Sequence, residues 1–268
     1  MRATLVIVLC SLAAAAQQPD PRELVRQAFA QDENIFNSVQ DYTYTEDETE
    51  RHLDGKGRVT SEERTTYEVL YLYGRQFQKR VAKNGKPLSP SDTKKEEDRL
   101  ARAAEKRKQR VDKGKVEDER TEGRKAAREV ADAFDFHIAG SERTAGVDAW
   151  VLDAVPRKGF VPKSRDGKYF QKISGRLWIS QADHSLVKVA LKLDDTISLG
   201  LFLVRLKPGA RFEFERTRLA ENVWLPKHVF IKGDAKIGLV KTMRLEVNLD
   251  YSDYKKFSTD TSFTVGAP

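Results

Sequence analysis

With one cysteine, two methionines and four histidines, the chain has few of the side chains on which metal and nucleophilic chemistry is usually built. The cysteine, Cys10, sits in an apolar run near the start, so everything after it is free of thiols. That excludes disulfides, thiolate metal sites and cysteine catalysis from the bulk of the protein. His52, His137, His184 and His228 are scattered, with no pair at metal-ligand spacing. A lone histidine is more often exposed or hydrogen-bonded than catalytic. No nucleophile elbow, phosphate loop or dinucleotide fingerprint occurs. Asp183-His184-Ser185 spells three letters of a hydrolase triad, but adjacent residues on a turn cannot face one another as a triad does. Asp194-Asp195 could hold a cation, yet acids are common where strands turn. No metal, cofactor or catalytic residue is therefore expected.

Long apolar runs are missing too. The longest, Ala3 to Leu12 with Ala13–Ala16 behind it, falls short of the roughly 20 apolar residues a spanning helix needs. Met1-Arg2 precedes it and Gln17-Gln18-Pro19 ends it, which together read as a secretory signal peptide over residues 1–16. Ala14 and Ala16 supply small side chains at −3 and −1, so cleavage is expected after Ala16. A lipidated Cys10 is the competing reading, and Leu9, where a small residue is wanted, speaks against it.

Charge is abundant but balanced. Asp, Glu, Lys and Arg make up 33% of the chain, with 48 basic against 41 acidic residues and a net charge of +7. This describes a salt-rich, soluble surface, although a positive exported protein can also be drawn peripherally to anionic headgroups. The basic patch Lys106-Arg107-Lys108-Gln109-Arg110 is flanked by acids and lies in an exported chain, so no nucleic-acid partner is expected.

Asp20-Pro21-Arg22-Glu23 marks a helix start: Asp20 caps, Pro21 fits the first turn, and Glu23 completes a capping-box spacing. Leu24, Val25, Ala28, Phe29, Ile35, Phe36 and Val39 recur at helical intervals, predicting a helix over 20–38 with one apolar face. Strands follow over 42–53 and 58–73 around the turn Asp54-Gly55-Lys56-Gly57, then over 76–82. From Ser91 to Arg120 nearly every residue is charged or small. Ser91-Asp92 can start a helix there, and with so little to bury it is expected to be a solvated or mobile arm. An apolar stripe from Ala126 to Phe134 predicts a second, docked helix, so the helical insertion covers about 91–135.

Strands are then predicted over 149–156, 169–180, 186–194, 197–206, 210–219, 223–232 and 236–251. In the last, Met243, Leu245, Val247, Leu249 and Tyr251 alternate with polar residues, giving one buried face. The fold class is mainly β (α+β). It is one strongly curved antiparallel sheet, a half-open barrel over residues 17–268, with an N-terminal helix and a charged helical insertion. Segment 197–206 is apolar on both faces. Its second face must meet helix 20–38 or line a cavity for a lipid tail. Leu199, Leu201, Leu203, Leu245 and Val247 are the candidate lining residues.

Several stretches resemble a known family. Ala145-Gly146-Val147-Asp148-Ala149-Trp150-Val151-Leu152-Asp153-Ala154-Val155-Pro156 is similar to a strand of bacterial LolA/LolB-like lipoprotein-carrier proteins. Gly175-Arg176-Leu177-Trp178-Ile179-Ser180, running on through Leu186-Val187-Lys188-Val189, is similar too, with Ser180 where relatives usually carry an acid. Glu221-Asn222-Val223-Trp224-Leu225-Pro226 resembles the family's turn and Trp-x-Pro strand entry. Asn84-Gly85-Lys86-Pro87-Leu88-Ser89 resembles exported members described as outer-membrane lipoprotein-sorting proteins. The resemblance implies a half-open barrel whose concave apolar face shelters acyl chains, a non-catalytic carrier of lipids or lipoproteins in the bacterial periplasm. Two other readings remain open: an envelope protein-interaction or sensor module using the arm 91–120, and an exported hydrolase with no recognisable motif.

Overall fold

The computed structural model describes residues 18–114, 117–199, 204–220, 223–237 and 241–256. Residues 1–16, where a signal peptide is expected, lie outside that range, as do Leu201 and Leu203.

Helix α1 (Pro21–Val39) starts at the predicted cap: the Arg22 N–H donates to Asp20 Oδ1 at 2.9 Å. Glu23 does not close the capping box and instead accepts from Arg26 and Gln27, each at 3.3 Å. Strands β1 (Tyr42–Leu53) and β2 (Val59–Leu72) form the expected hairpin. Its turn is tied by Asp54 Oδ1, which accepts from the Lys56 and Arg58 amides. Then come β3 (Arg75–Lys83), the short β4 (Lys86–Pro87), α2 (Pro90–Asp112), α3 (Glu117–Ala133), β5 (Phe134–Thr144) and β6 (Val147–Pro156). A 3-10 turn over Gly167–Lys172 leads into β7 (Ile173–Ser180), so the strand expected from 169 begins four residues late. The rest are β8 (Leu186–Leu193), β9 (Ile197–Leu199), β10 (Val204–Leu206), β11 (Arg211–Ala220), β12 (Val223–Ile237) and β13 (Lys241–Lys256).

Three expectations are corrected. Segment 197–206 is not one strand but two three-residue strands, β9 and β10, paired antiparallel with Leu199 opposite Val204. That pairing gives its two apolar series a different use from the two faces of a single strand. The stripe ending at Phe134 belongs to α3 only as far as Ala133, and Phe134 opens β5 without a connecting loop. Helix α2 starts two residues early: Ser89 caps it by accepting from the Asp92 amide at 3.2 Å, with Pro90 in the first turn.

The thirteen strands make one antiparallel sheet, ordered β4-β3-β2-β1-β13-β12-β11-β8-β7-β6-β5, with β10 and β9 attached beside β12. The ends β4 and β5 do not pair, so the sheet is open. The first and last strands, β1 and β13, lie side by side within it.

Helix α1 lays Leu24, Val25 and Ala28 on Leu152, Leu177, Ile179, Leu186 and Val189 of β6–β8, with Ala131 of α3 beside them. Arg216 of β11 fastens the helix, donating to both carboxylate oxygens of Asp32 (2.5 and 3.2 Å) and to the Leu186 carbonyl (3.0 Å). A second cluster joins the end of α1 (Val39) to Tyr42, Tyr44, Val69, Val187, Trp224 and Leu225. Trp224 donates its indole N–H to Asp183 at 3.0 Å, and His184 takes a positive φ of 54° in the same turn. Asp183-His184-Ser185 is therefore a structural turn against the core.

The charged insertion is not a free arm. Leu100, Ala103 and Ala104 of α2 pack on Leu70, Leu72 and Phe77 of β2–β3. Glu96 and Arg107 of the same helix are also buried. The surface it covers is the one opposite Val69, so α1 and α2 lie on opposite faces of the sheet.

Candidate functional site

Directly paired residues in an antiparallel ladder share a face. The register therefore carries the α1 face across the sheet. One row reads Val189, Phe214, Val229, Leu249, Glu48, Thr65, Lys83. Two residues further along the strands the row reads Leu191, Phe212, Ile231, Val247, Glu50, Glu63. Beyond it Gly233, Leu245, His52 and Ser61 follow. The first two rows are apolar from β8 to β13, and all three turn polar or acidic at β1. From β11 to β1 this strip is about 14 Å wide, at about 4.8 Å per strand.

Helix α1 covers only the near end of these rows. Val189 and Val229 are buried, and Phe214 and Leu191 pack on the α1 cluster. Phe212 and Ile231 are 37% and 41% exposed, and Leu245, Val247 and Leu249 are half-buried. Phe212 and Ile231 are directly paired, so their exposed area is contiguous.

Of the five predicted lining residues, Leu245 and Val247 stand in the strip. The β9–β10 hairpin reaches the same region through Val204, paired with Ile237 of β12, and Leu199 is placed by its backbone opposite Val204. Leu201 and Leu203 lie outside the described residues. Phe212, Val229 and Ile231 carry no local signal in the sequence, because their place in the strip is set by strand register; Leu249 belongs to the alternating face expected of the last strand.

The acidic margin was missed as well. Glu46, Glu48 and Glu50 alternate along β1 on the same face as Tyr42 and Tyr44. Glu46 is fully buried, and burial pushes its carboxyl above the usual range against hydrogen bonds from Gln78 and Tyr251. Glu48 is also pushed up, first by burial and then by the like charges of Glu50 and Glu63. Glu50 pairs with His52 at 3.0 Å and Glu63 with Lys83 at 2.9 Å. Among the described residues, Glu48 has neither an ion pair nor a hydrogen bond. Tyr44, Tyr251 and Tyr254 close that end, with ring centroids 5.3 and 5.8 Å apart and the Tyr254 hydroxyl donating to the Pro226 carbonyl.

The opposite face is different in kind. There Arg51 bridges Glu62 (2.7 Å) and Glu246 (3.0 Å), and Lys232 reaches Glu246 at 2.9 Å, a surface saturated by its own ion pairs. An open depression of about 800 Å³ on that side is bordered by Asp153, Arg176, Lys192, Arg211 and Glu213, with Arg176 held to Asp153 at 2.7 Å. Asp195 is taken by Lys172 at 2.9 Å rather than by a cation site. Among the described residues no cluster of His, Asp and Glu has metal-binding geometry, and no helix is long and apolar enough to cross a membrane.

No family model matches the chain, and no curated protein does. Several solved structures are similar in fold. A DUF1329 family protein from Desulfovibrio piger is 11% identical with a TM-score of 0.33, over 91% of this chain and 96% of its own. A LolA superfamily protein from Nitrosomonas europaea is 11% identical with a TM-score of 0.27, over 90% and 98%. MucB, solved in complex with MucA, is 10% identical with a TM-score of 0.25, over 88% and 99%. At such identities and TM-scores these likenesses carry nothing about function.

Proposed function

We propose that this protein is a non-catalytic binder of acyl chains, exported to the cell envelope, with the α1 face of β11–β13 as its binding surface. One observation carries the reading: Phe212, Ile231, Leu245, Val247 and Leu249 form a continuous apolar strip outside the α1 core, with Phe212 and Ile231 exposed and the other three half-buried. A flexible hydrocarbon suits it, since each methylene removed from water contributes about 0.8 kcal/mol without demanding hydrogen bonds. The family resemblance points the same way. Native mass spectrometry of the purified protein should show co-purifying lipid, and a nonionic fluorescent acyl probe should bind. Ile231→Asp puts a charge on the strip at an exposed position where folding tolerates it, and it should abolish probe binding. Wild type that binds no acyl probe sinks the proposal.

The fixed seat of α2 favours a second reading. Arg102, Glu105, Lys106 and Lys108 stand exposed on a helix anchored to the sheet, a rigid charged surface that an envelope protein could dock on. Partner capture that survives Ile231→Asp and is lost on charge reversal of Arg102 and Lys108 would favour it.

A further inference from the structure

We infer that the occupant of the apolar strip is a cationic amphiphile: an apolar chain lying on β11–β13 whose ammonium or guanidinium head pairs with Glu48. This deepens the acyl-binding reading and rests on it. The charge pattern of the strip carries the inference. Its apolar rows run without interruption into Glu48 and Glu50, which stand directly opposite Leu249 and Val247. Directly opposed Cβ atoms in such a ladder lie about 4.5–5.5 Å apart, so a head attached to a chain on Leu249 reaches the Glu48 carboxylate without extra length.

The neighbouring charges already have partners. Lys83 pairs with Glu63, and His52 Nε2 lies 3.0 Å from Glu50, while Arg80 and Lys79 sit on β3, two strands from Glu48. Glu48 is left half-buried between two like charges with no cation of its own. Burying an ionised carboxylate is costly unless it is paired, so a positive group from outside would stabilise the ionised form there. An anionic head would meet the like charge of Glu48, with Glu50 beside it, and be repelled. A fatty-acid carboxylate is therefore a poor ligand for the same strip.

The experiment compares three amphiphiles with one chain: dodecylamine, dodecanol and dodecanoate, each below its micellar concentration, displacing a nonionic fluorescent acyl probe. Dodecylamine should bind about tenfold or more tighter than dodecanol, and dodecanoate weaker than either. Glu48→Gln should bring the amine down to the alcohol while alcohol affinity stays as in wild type, which also shows that the variant folds. Glu50→Gln serves in its place if Glu48→Gln does not fold. Equal affinities for amine and alcohol overturn the inference and leave acyl binding standing, as does a preference for dodecanoate. An amine preference that persists in both variants overturns it by moving the head elsewhere. Failure of all three to bind overturns the acyl reading itself. A dimer that none of them dissociates would assign the strip to a second copy of the chain and overturn the inference too.

Discussion

Glu96 tests whether the charged insertion is part of the fold. The residue is 4% exposed on a helix otherwise covered in charge. Oε1 accepts from the Arg80 backbone N–H at 2.8 Å and from Arg99 Nη2 at 2.6 Å, and Oε2 accepts from Arg99 Nε at 2.9 Å. Arg99 also donates to the Gln78 carbonyl, so one ion pair clamps α2 to the exposed edge of β3. In Glu96→Ala the Arg80 N–H is buried without its acceptor, which costs about 1–3 kcal/mol. The half-exposed Arg99 adds little, because exposed pairs contribute about 0–1 kcal/mol. A loss of about 2 kcal/mol is expected, or roughly 4–8 °C in Tm for a protein of this size. Glu96→Gln keeps an acceptor for Arg80 and should lose less. The Arg99 guanidinium, helped by the Arg80 N–H and opposed by burial, holds the Glu96 carboxyl below its ordinary value. Its contribution is thus complete above the unfolded carboxylate range, near pH 4.3, and is lost as pH falls through the lower folded value. The gap between wild type and Glu96→Ala should therefore close in acid. Thermal melts across pH and hydrogen exchange at the Arg80 amide read both effects. An alanine variant that melts with wild type at neutral pH, with Arg80 exchange unchanged, would return α2 to the status of a detached arm.

Arg216→Ala removes the guanidinium that ties α1 to β11 and should cost about 2–4 kcal/mol, with amides of α1 exchanging faster than those of β7; uniform exchange would refute the anchoring role. Gly175→Ala would set a methyl group on the Ala190 carbonyl oxygen and 3.1 Å from Leu191 Cα, so the variant should lose roughly 1–3 kcal/mol or fail to fold, and a neutral melting temperature would contradict that packing. Intact mass of the exported protein should begin at Gln17 or a near neighbour. A diacylglyceryl mass on Cys10 would replace the signal-peptide reading with a lipoprotein one.

Local signals in the sequence were read correctly where local chemistry decided the structure. Asp20 and the apolar period set α1, and Asp54 with Gly57 set the first hairpin. Errors arose where pairing partners decide. Phe134 follows Ala133 with no breaker between helix and strand, so the helical stripe ran into β5 unnoticed. Segment 197–206 is apolar on both faces, so its pattern does not separate the two short paired strands from one long one. The burial of α2 was hidden by its composition, because Ala103, Ala104 and one carboxylate make a docking face that no hydrophobic period announces. The acidic margin could have been found: Tyr42, Tyr44, Glu46, Glu48 and Glu50 alternate strictly, and a face opened by two buried tyrosines is not a solvent face.

The strip is a consequence of topology rather than of any contiguous motif. It exists because the sheet closes its chain order at β1 and β13, bringing Glu48 opposite Leu249 from far ends of the sequence. Where the apolar strip ends is then fixed by β1, which supplies glutamates where β11–β13 supply Phe, Val, Ile and Leu. How much of it stays open is fixed by α1, whose position depends on Arg216 and on Leu24, Val25 and Ala28 seated over β6–β8. A helix seated a few strands over would bury Ile231 and Val247 in its own core and leave no surface for a ligand. Anchoring α1 off-centre therefore keeps the core of β6–β8 dry while leaving apolar area uncovered on β11–β13, at a cost in stability that a ligand on the strip would offset by mass action.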